Sequence, residues 1–158
     1  RDLWAYFPEY KRIRRIPATS QDDSFFGSDF SYDDLSGPPD LDDYSFKILR
    51  EEEMIDNKPC YVIEVTPKKP RKYTKYITWV AKNLWIPTKV EYYRDKELYR
   101  SGTFKNIRVI DGIPTPFEME MANFKTRHRT ILTIQYINYN TKYPNDLFTQ
   151  KTLERGAK

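Results

Sequence analysis

Residues 104–121, Phe104-Lys-Asn-Ile-Arg-Val-Ile-Asp-Gly-Ile-Pro-Thr-Pro-Phe-Glu-Met-Glu-Met121, decide the fold of this chain. Asp111-Gly112 is the dipeptide that a two-residue type I′ turn demands, because both central residues of that turn need positive φ. Ile110 and Ile113 flank it, and pairing them fixes a register: Phe104 faces Met119, and Asn106 faces Phe117. On the opposite side Lys105 meets Glu118 and Thr103 meets Glu120. Large apolar residues on one side and opposite-charge pairs on the other describe an antiparallel hairpin with one wet face. A slip of one residue would invert that pattern, so the register is well specified.

The same logic extends outward. A turn at Lys125-Thr126 leads into a strand at 127–139, setting Met119 across from Leu132 and Phe117 across from Ile134. Upstream, Asp95-Lys96-Glu97 joins a strand at 84–94 to one at 98–110, which puts Val90 and Tyr92 on the apolar side and Glu91 near Ser101. A two-residue turn at Lys82-Asn83 joins 76–81 to 84–94, with Trp79 facing Ile86 and Ile77 facing Thr88. Asp56-Asn57 joins 44–54 to 58–66, and the basic stretch Lys68 to Lys75 links onward. Near the start, strands at 2–7 and 11–16 flank Pro8-Glu9-Tyr10. Residues 17–43 read as an irregular acidic segment with a short helical turn over Tyr32–Leu35, which Asp29 or Ser31 is placed to cap. Gly37-Pro38-Pro39 stops that turn.

The expected architecture is therefore mainly β, a curved antiparallel sheet with only short helical turns. Its apolar face gathers Ile77, Trp79, Ile86, Val90, Tyr92, Phe104, Phe117, Met119, Met121, Leu132, Ile134 and Tyr136. A face of that size needs a cover. Either residues outside this sequence supply helices, or the sheet curls and leaves a cavity. The residues suit an ordinary core; they also suit a hydrophobic groove, in which Met119 and Met121 would adapt to a flexible chain.

Composition narrows the function. The chain has 158 residues, a length that fits one domain, expected here over 1–158. Aromatic residues make up 16%, including 13 Tyr, which argues against disorder. The net charge of +4 gives a mild preference for anionic partners. One cysteine, Cys60, leaves no internal disulfide and no multi-cysteine metal site, and reads as a buried strand residue. No apolar run approaches the roughly 20 residues needed to span a bilayer. The sequence opens at Arg1 without Met or signal peptide, as a processed or truncated chain would.

Catalytic signals are weak. His128, the single histidine, reads as an exposed residue at a strand end. The aspartates at 22, 23, 29, 33, 34, 40, 42 and 43 fail the calcium-loop pattern, since Asp34 stands where a loop beginning at Asp29 needs glycine. They fit a solvated loop that caps turns and pairs with the basic strand. On that strand Arg12, Arg14 and Arg15 form a candidate anion- or partner-binding surface. The cluster Lys68, Lys69, Arg71, Lys72 and Lys75 reads as a solvated loop, with attraction to lipid headgroups as the lesser option. The aromatics face the apolar side, so no stacking platform for nucleic acid is expected. No Ser-His-Asp set, Gly-rich phosphate loop, metal site or cofactor motif is present.

Several motifs occur in the order found in one known family: Leu3-Trp-Ala-Tyr-Phe-Pro8, Arg12-Ile-Arg-Arg-Ile-Pro17, Asp23-Ser-Phe-Phe-Gly-Ser-Asp-Phe-Ser-Tyr-Asp-Asp-Leu35, Val109-Ile-Asp-Gly-Ile-Pro114 and Phe148-Thr-Gln-Lys-Thr-Leu153. Together they resemble the LolA-like outer-membrane lipoprotein-sorting proteins, over the C-terminal two thirds of a member. The resemblance implies an incomplete β-barrel with helices across its concave apolar face, here without the N-terminal strands and helix. It also implies a periplasmic, non-enzymatic carrier for a lipoprotein acyl chain or other lipid. The branch it resembles is linked with inner-membrane transporters of the RND type. The alternative is an interaction module, without lipid cargo, that docks on such a transporter through the Arg12/Arg14 strand and the acidic loop. A hydrolase reading would need a pocket that brings Cys60 or an Asp pair to His128.

Overall fold

The computed structural model describes residues 3–37 and 39–156. Residue 2, expected to open the first strand, and Pro38 of the Gly-Pro-Pro stop lie outside the described residues. Two antiparallel sheets account for the strands. β1 (Leu3–Phe7) and β2 (Arg12–Ile16) form a hairpin, paired from Leu3↔Ile16 to Phe7↔Arg12. The second sheet runs in sequence order through seven strands: β3 (Tyr44–Ile55), β4 (Lys58–Pro67), β5 (Lys75–Ala81), β6 (Pro87–Arg94), β7 (Glu97–Ile110), β8 (Ile113–Asn123) and β9 (His128–Thr133). It is a meander whose first and last strands do not meet, so the barrel stays open. The described residues also include two short α-helices, α1 (Tyr32–Leu35) and α2 (Gln150–Arg155), and 3-10 turns at Pro8–Tyr10, Ala18–Ser20 and Leu41–Asp43.

The local chemistry explains the elements. Asp111 and Gly112 adopt φ of 51° and 81°, and Asp56 and Asn57 adopt 45° and 60°, as two-residue hairpin turns require. The β7–β8 register is the expected one, with Phe104↔Met119, Lys105↔Glu118 and Ile110↔Ile113 paired. Met119↔Leu132 also holds, and the Ile134 N–H donates to the Phe117 carbonyl at 2.9 Å. Of the two candidate caps for α1, Ser31 serves. Its hydroxyl accepts from the Asp34 N–H at 3.2 Å, while the Asp34 carboxylate accepts from the Ser31 N–H at 2.7 Å.

Three expectations are corrected. The β5–β6 connection is not a two-residue turn at Lys82-Asn83. It runs from Lys82 to Ile86, closed by the Ala81 N–H on the Ile86 carbonyl at 3.0 Å, with Trp85 at φ 54°. Trp79 therefore pairs with Lys89, and Ile77 with Glu91, a slip of three residues from the expected register. An odd slip exchanges faces. Ile77 and Trp79 thus point away from Val90, Tyr92 and Phe104, and Ile86 lies in the connection. Finally, β9 ends at Thr133 rather than 139, which leaves Tyr136 beyond the sheet and 80% exposed.

Each face of the large sheet carries its own apolar centre. On the outer face Cys60, Val62, Trp79 and Ala81 are buried together, with Ile55, Ile77 and Leu84 packed around them. On the inner face Phe30, Tyr73, Tyr92 and Met121 form the centre, flanked by Tyr76, Val90, Tyr99, Met119 and Leu132. Register irregularities between β3 and β4, β5 and β6, and β6 and β7 bend the sheet.

Candidate functional site

The inner face holds a cavity of about 470 Å³. Its floor comes from alternate residues of five successive strands: Tyr44 and Phe46 of β3, Val65 of β4, Tyr76, Thr78 and Val80 of β5, Pro87, Val90 and Tyr92 of β6, and Phe104 of β7. The alternation follows from strand pleat, since residues two apart share a face. Asp33, Asp34, Gly37, Pro39 and Leu41, from the acidic segment, wall one end. The remaining rim is open, and Phe46 and Leu41 stay 52% and 65% exposed.

The acidic segment is locked over the sheet by one buried arginine. Arg100 on β7 is 4% exposed, and it donates to the Asp29 carbonyl at 2.7 Å and to the Asp34 carboxylate at 2.9 Å. The Tyr92 hydroxyl donates to the same carboxylate at 3.0 Å. The guanidinium lies over the rings of Tyr73 and Tyr92, 5.0 and 4.5 Å from their centroids, and the two rings meet edge to face 5.2 Å apart. Such stacking supports a buried cation whose Nε has no hydrogen-bond partner among the described residues. A second tie runs through Asp29: its carboxylate accepts from the Thr130 hydroxyl at 2.8 Å and meets His128 Nδ1 at 2.7 Å.

Burial pushes the Tyr92 phenol well above its ordinary range, with the Asp34 carboxylate adding to the shift. Burial likewise raises Tyr73 to about 12. Burial opposes the Arg100 charge, but Asp34 and the two phenols outweigh it, so its pKa is raised. The cluster is therefore the Arg100–Asp34 ion pair wrapped by neutral phenols. It is a clamp, and its members are occupied by one another.

Of the expected face, Val90, Tyr92 and Phe104 line the cavity. Met121 is buried beneath it at 1% exposure, and Met119 and Leu132 pack alongside. Gly102 makes this packing possible, because a Cβ there would stand 3.0 Å from Val90 Cγ1 and 3.2 Å from Met121 Cε. Phe117 is buried under the Arg108 guanidinium, 4.2 Å from its ring centroid. Trp79 is sealed on the outer face, where its Nε1 donates to Glu53 at 3.0 Å and Lys89 covers the ring at 4.3 Å.

Sequence reasoning missed Tyr76, Thr78 and Val80 as wall residues because the slipped β5 register turned its inner side outward, Pro87 because of the bulge that pairs it with Val80, and Tyr44, Phe46 and Val65 because it assigned no register to β3 and β4. It also missed Arg100. The signal was present: Arg100 shares strand parity with Phe104, and an arginine on an apolar face demands buried partners.

Arg12, Arg14 and Arg15 are exposed on β2, with Arg14 5.7 Å over Phe7 and 5.8 Å over Tyr10. Asp29 and Asp34, expected among the partners of that strand, are committed to the large sheet instead. Beside the hairpin, Leu3, Tyr6, Phe25, Phe26, Tyr32 and Leu153 line a smaller hollow of about 270 Å³. His128 does not meet Cys60, which is fully buried on the outer face against Thr88. Among the described residues no three His, Cys, Asp or Glu side chains converge at metal-binding spacing. No helix among them is long and apolar enough to cross a membrane.

A family model described as that of an uncharacterized protein matches residues 1–155. No curated protein matches. Among solved structures, a DUF1329 family protein from Desulfovibrio piger is 30% identical with a TM-score of 0.88, over 96% of this chain and 64% of that one. A domain of a proposed outer membrane lipoprotein-sorting protein from Vibrio parahaemolyticus is also 30% identical with a TM-score of 0.88, over 98% and 66%. A LolA superfamily protein from Nitrosomonas europaea is 25% identical with a TM-score of 0.71, over 97% and 68%. The chain thus spans about two thirds of the length of these relatives. With its family model matched almost end to end and its open antiparallel sheet shared with these structures, the chain belongs to the DUF1329 family of LolA-like fold.

Proposed function

We propose that this chain forms the binding part of a non-enzymatic carrier in the cell envelope, which shelters an acyl chain of a lipoprotein or another lipid. The inner-face cavity carries this reading: about 470 Å³, walled by aliphatic and aromatic side chains and open along one rim. That volume lies within the range of about 300–1,000 Å³ typical of small-ligand pockets. Each methylene withdrawn from water contributes about 0.8 kcal/mol, so a long chain binds there without polar chemistry. Of the polar groups that line the cavity, Asp34 and Tyr92 are already engaged with each other and with Arg100, which suits holding more than bond-breaking. The resemblance to a proposed lipoprotein-sorting protein supports the same cargo class and a periplasmic location.

Native mass spectrometry of the gently purified full-length protein tests the proposal. An adduct with the mass of an acyl lipid, lost on organic extraction, is the expected result. Ligand-free protein whose cavity is filled by its own side chains would contradict it. A second reading, docking on an RND-type inner-membrane transporter, draws on the exposed Arg12 and Arg14 beside Tyr10, which is 61% exposed. Reversing both charges would then abolish partner capture without changing lipid content.

A further inference from the structure

The two ends of the large sheet differ in charge, and that difference is independent of the cavity. Three connections lie at one end: residues 68–74 between β4 and β5, the Asp95-Lys96 turn between β6 and β7, and residues 124–127 between β8 and β9. Direct contacts tie them together. The Asp95 N–H donates to the Thr74 hydroxyl at 2.7 Å, the Phe124 N–H donates to the Tyr99 carbonyl at 3.0 Å, and Lys125 pairs with Glu97. Two basic clusters about fifty residues apart in sequence thereby join into one edge. Residues 68–75, 94–97 and 124–129 contribute ten Lys and Arg against two acids, Asp95 and Glu97. Three further acids border this edge: Asp43 pairs with Arg71 at 3.2 Å and Lys69 at 3.9 Å, Glu64 with Lys75 at 3.4 Å, and Glu120 with Arg129 at 3.7 Å, which leaves ten cations against five acids. At the other end, residues 54–58, 82–87 and 108–114 hold three cations and two acids.

We propose that the basic end is a docking surface for a phospholipid bilayer bearing anionic headgroups. Charge complementarity supplies the attraction, at roughly 1 kcal/mol for each Lys or Arg brought near such a surface. The aromatic content favours a bilayer over an acidic protein. Lys75 lies 5.1 Å over Tyr93, Arg94 lies 5.5 Å over Tyr99, and Phe124 stands half-exposed beside Lys125. Cations with aromatic rings beneath them are the composition of a membrane–water interface. Neither of the two hollows described above is lined by residues of this edge. A basic edge with a single phenyl ring gives reversible attachment, since stable anchoring takes two strong signals.

Co-sedimentation of the chain with vesicles decides it. Phosphatidylcholine vesicles with about 30% phosphatidylglycerol should bind the chain at about 50 mM salt and release most of it at about 500 mM, whereas pure phosphatidylcholine should not bind. Lys69 and Arg127 are exposed, so Lys69→Gln with Arg127→Gln should weaken binding about thirtyfold and leave the melting temperature unchanged. Phe124→Ser should weaken what binding remains at high salt. Equal binding to both vesicles, or no binding to the anionic ones, overturns the proposal. Capture of polyglutamate without vesicle binding overturns it in favour of an acidic protein partner.

Discussion

The outer and inner faces of the seven-stranded sheet each carry an apolar centre, and the two end in different states. On the outer face, Cys60, Val62 and Ala81 have no exposed surface and Trp79 has 4%, while Lys89 and Glu53 close over the indole. On the inner face, comparable side chains leave about 470 Å³ unfilled. The difference is in the cover. A bulge between Trp79 and Val80 and two in β3–β4 bend neighbouring strands around the outer cluster. The inner face relies on one loop, fastened at one end by Arg100 and Asp29. A sheet that completes one apolar centre and leaves its other face part-covered has an unfilled volume for a guest.

Two substitutions sharpen that contrast. Trp79→Ala should have the larger effect, lowering stability by about 3–5 kcal/mol through the cavity it leaves in a sealed cluster. Denaturant titration checks this, and acyl binding by the folded fraction should be unchanged. Asp34→Ala should cost about 3 kcal/mol, because it strands the buried Arg100 charge and removes the α1 capping partner. Its signature is different: hydrogen exchange should quicken across residues 29–36, and the inner cavity should admit bulkier amphiphiles. Equal effects of both changes on acyl binding would erase the distinction between the faces.

The sequence made one half of the sheet legible. Asp111-Gly112 and the alternation around it placed Phe104, Met119 and Leu132 in register, and a bulge after Tyr92 restored the alignment that a three-residue loop at Asp95–Glu97 would give. The β5–β6 connection was not legible. Lys82-Asn83 looks like a tight turn, yet Leu84, Trp85 and Ile86 are apolar residues used in a loop, with Trp85 in a left-handed conformation that its type does not advertise. Placing Trp79 and Ile77 on the wrong face followed from that one loop. Strand parity flags Arg100 as needing buried partners, but not which ones: Asp29 and Asp34 lie some seventy residues away, and only the folded sheet brings them together.

Intermolecular NOEs from a bound acyl glycerol test the central claim most directly, because they report only close contact and Val62 and Val90 lie on opposite faces of the same sheet. With the full-length protein, the methyl groups of Val65, Val80 and Val90 should show NOEs to the acyl methylenes, while Val62 and the Trp79 indole show none. NOEs to Val62 and Trp79 of the same strength, or to neither group, would contradict a carrier that holds its cargo on the inner face.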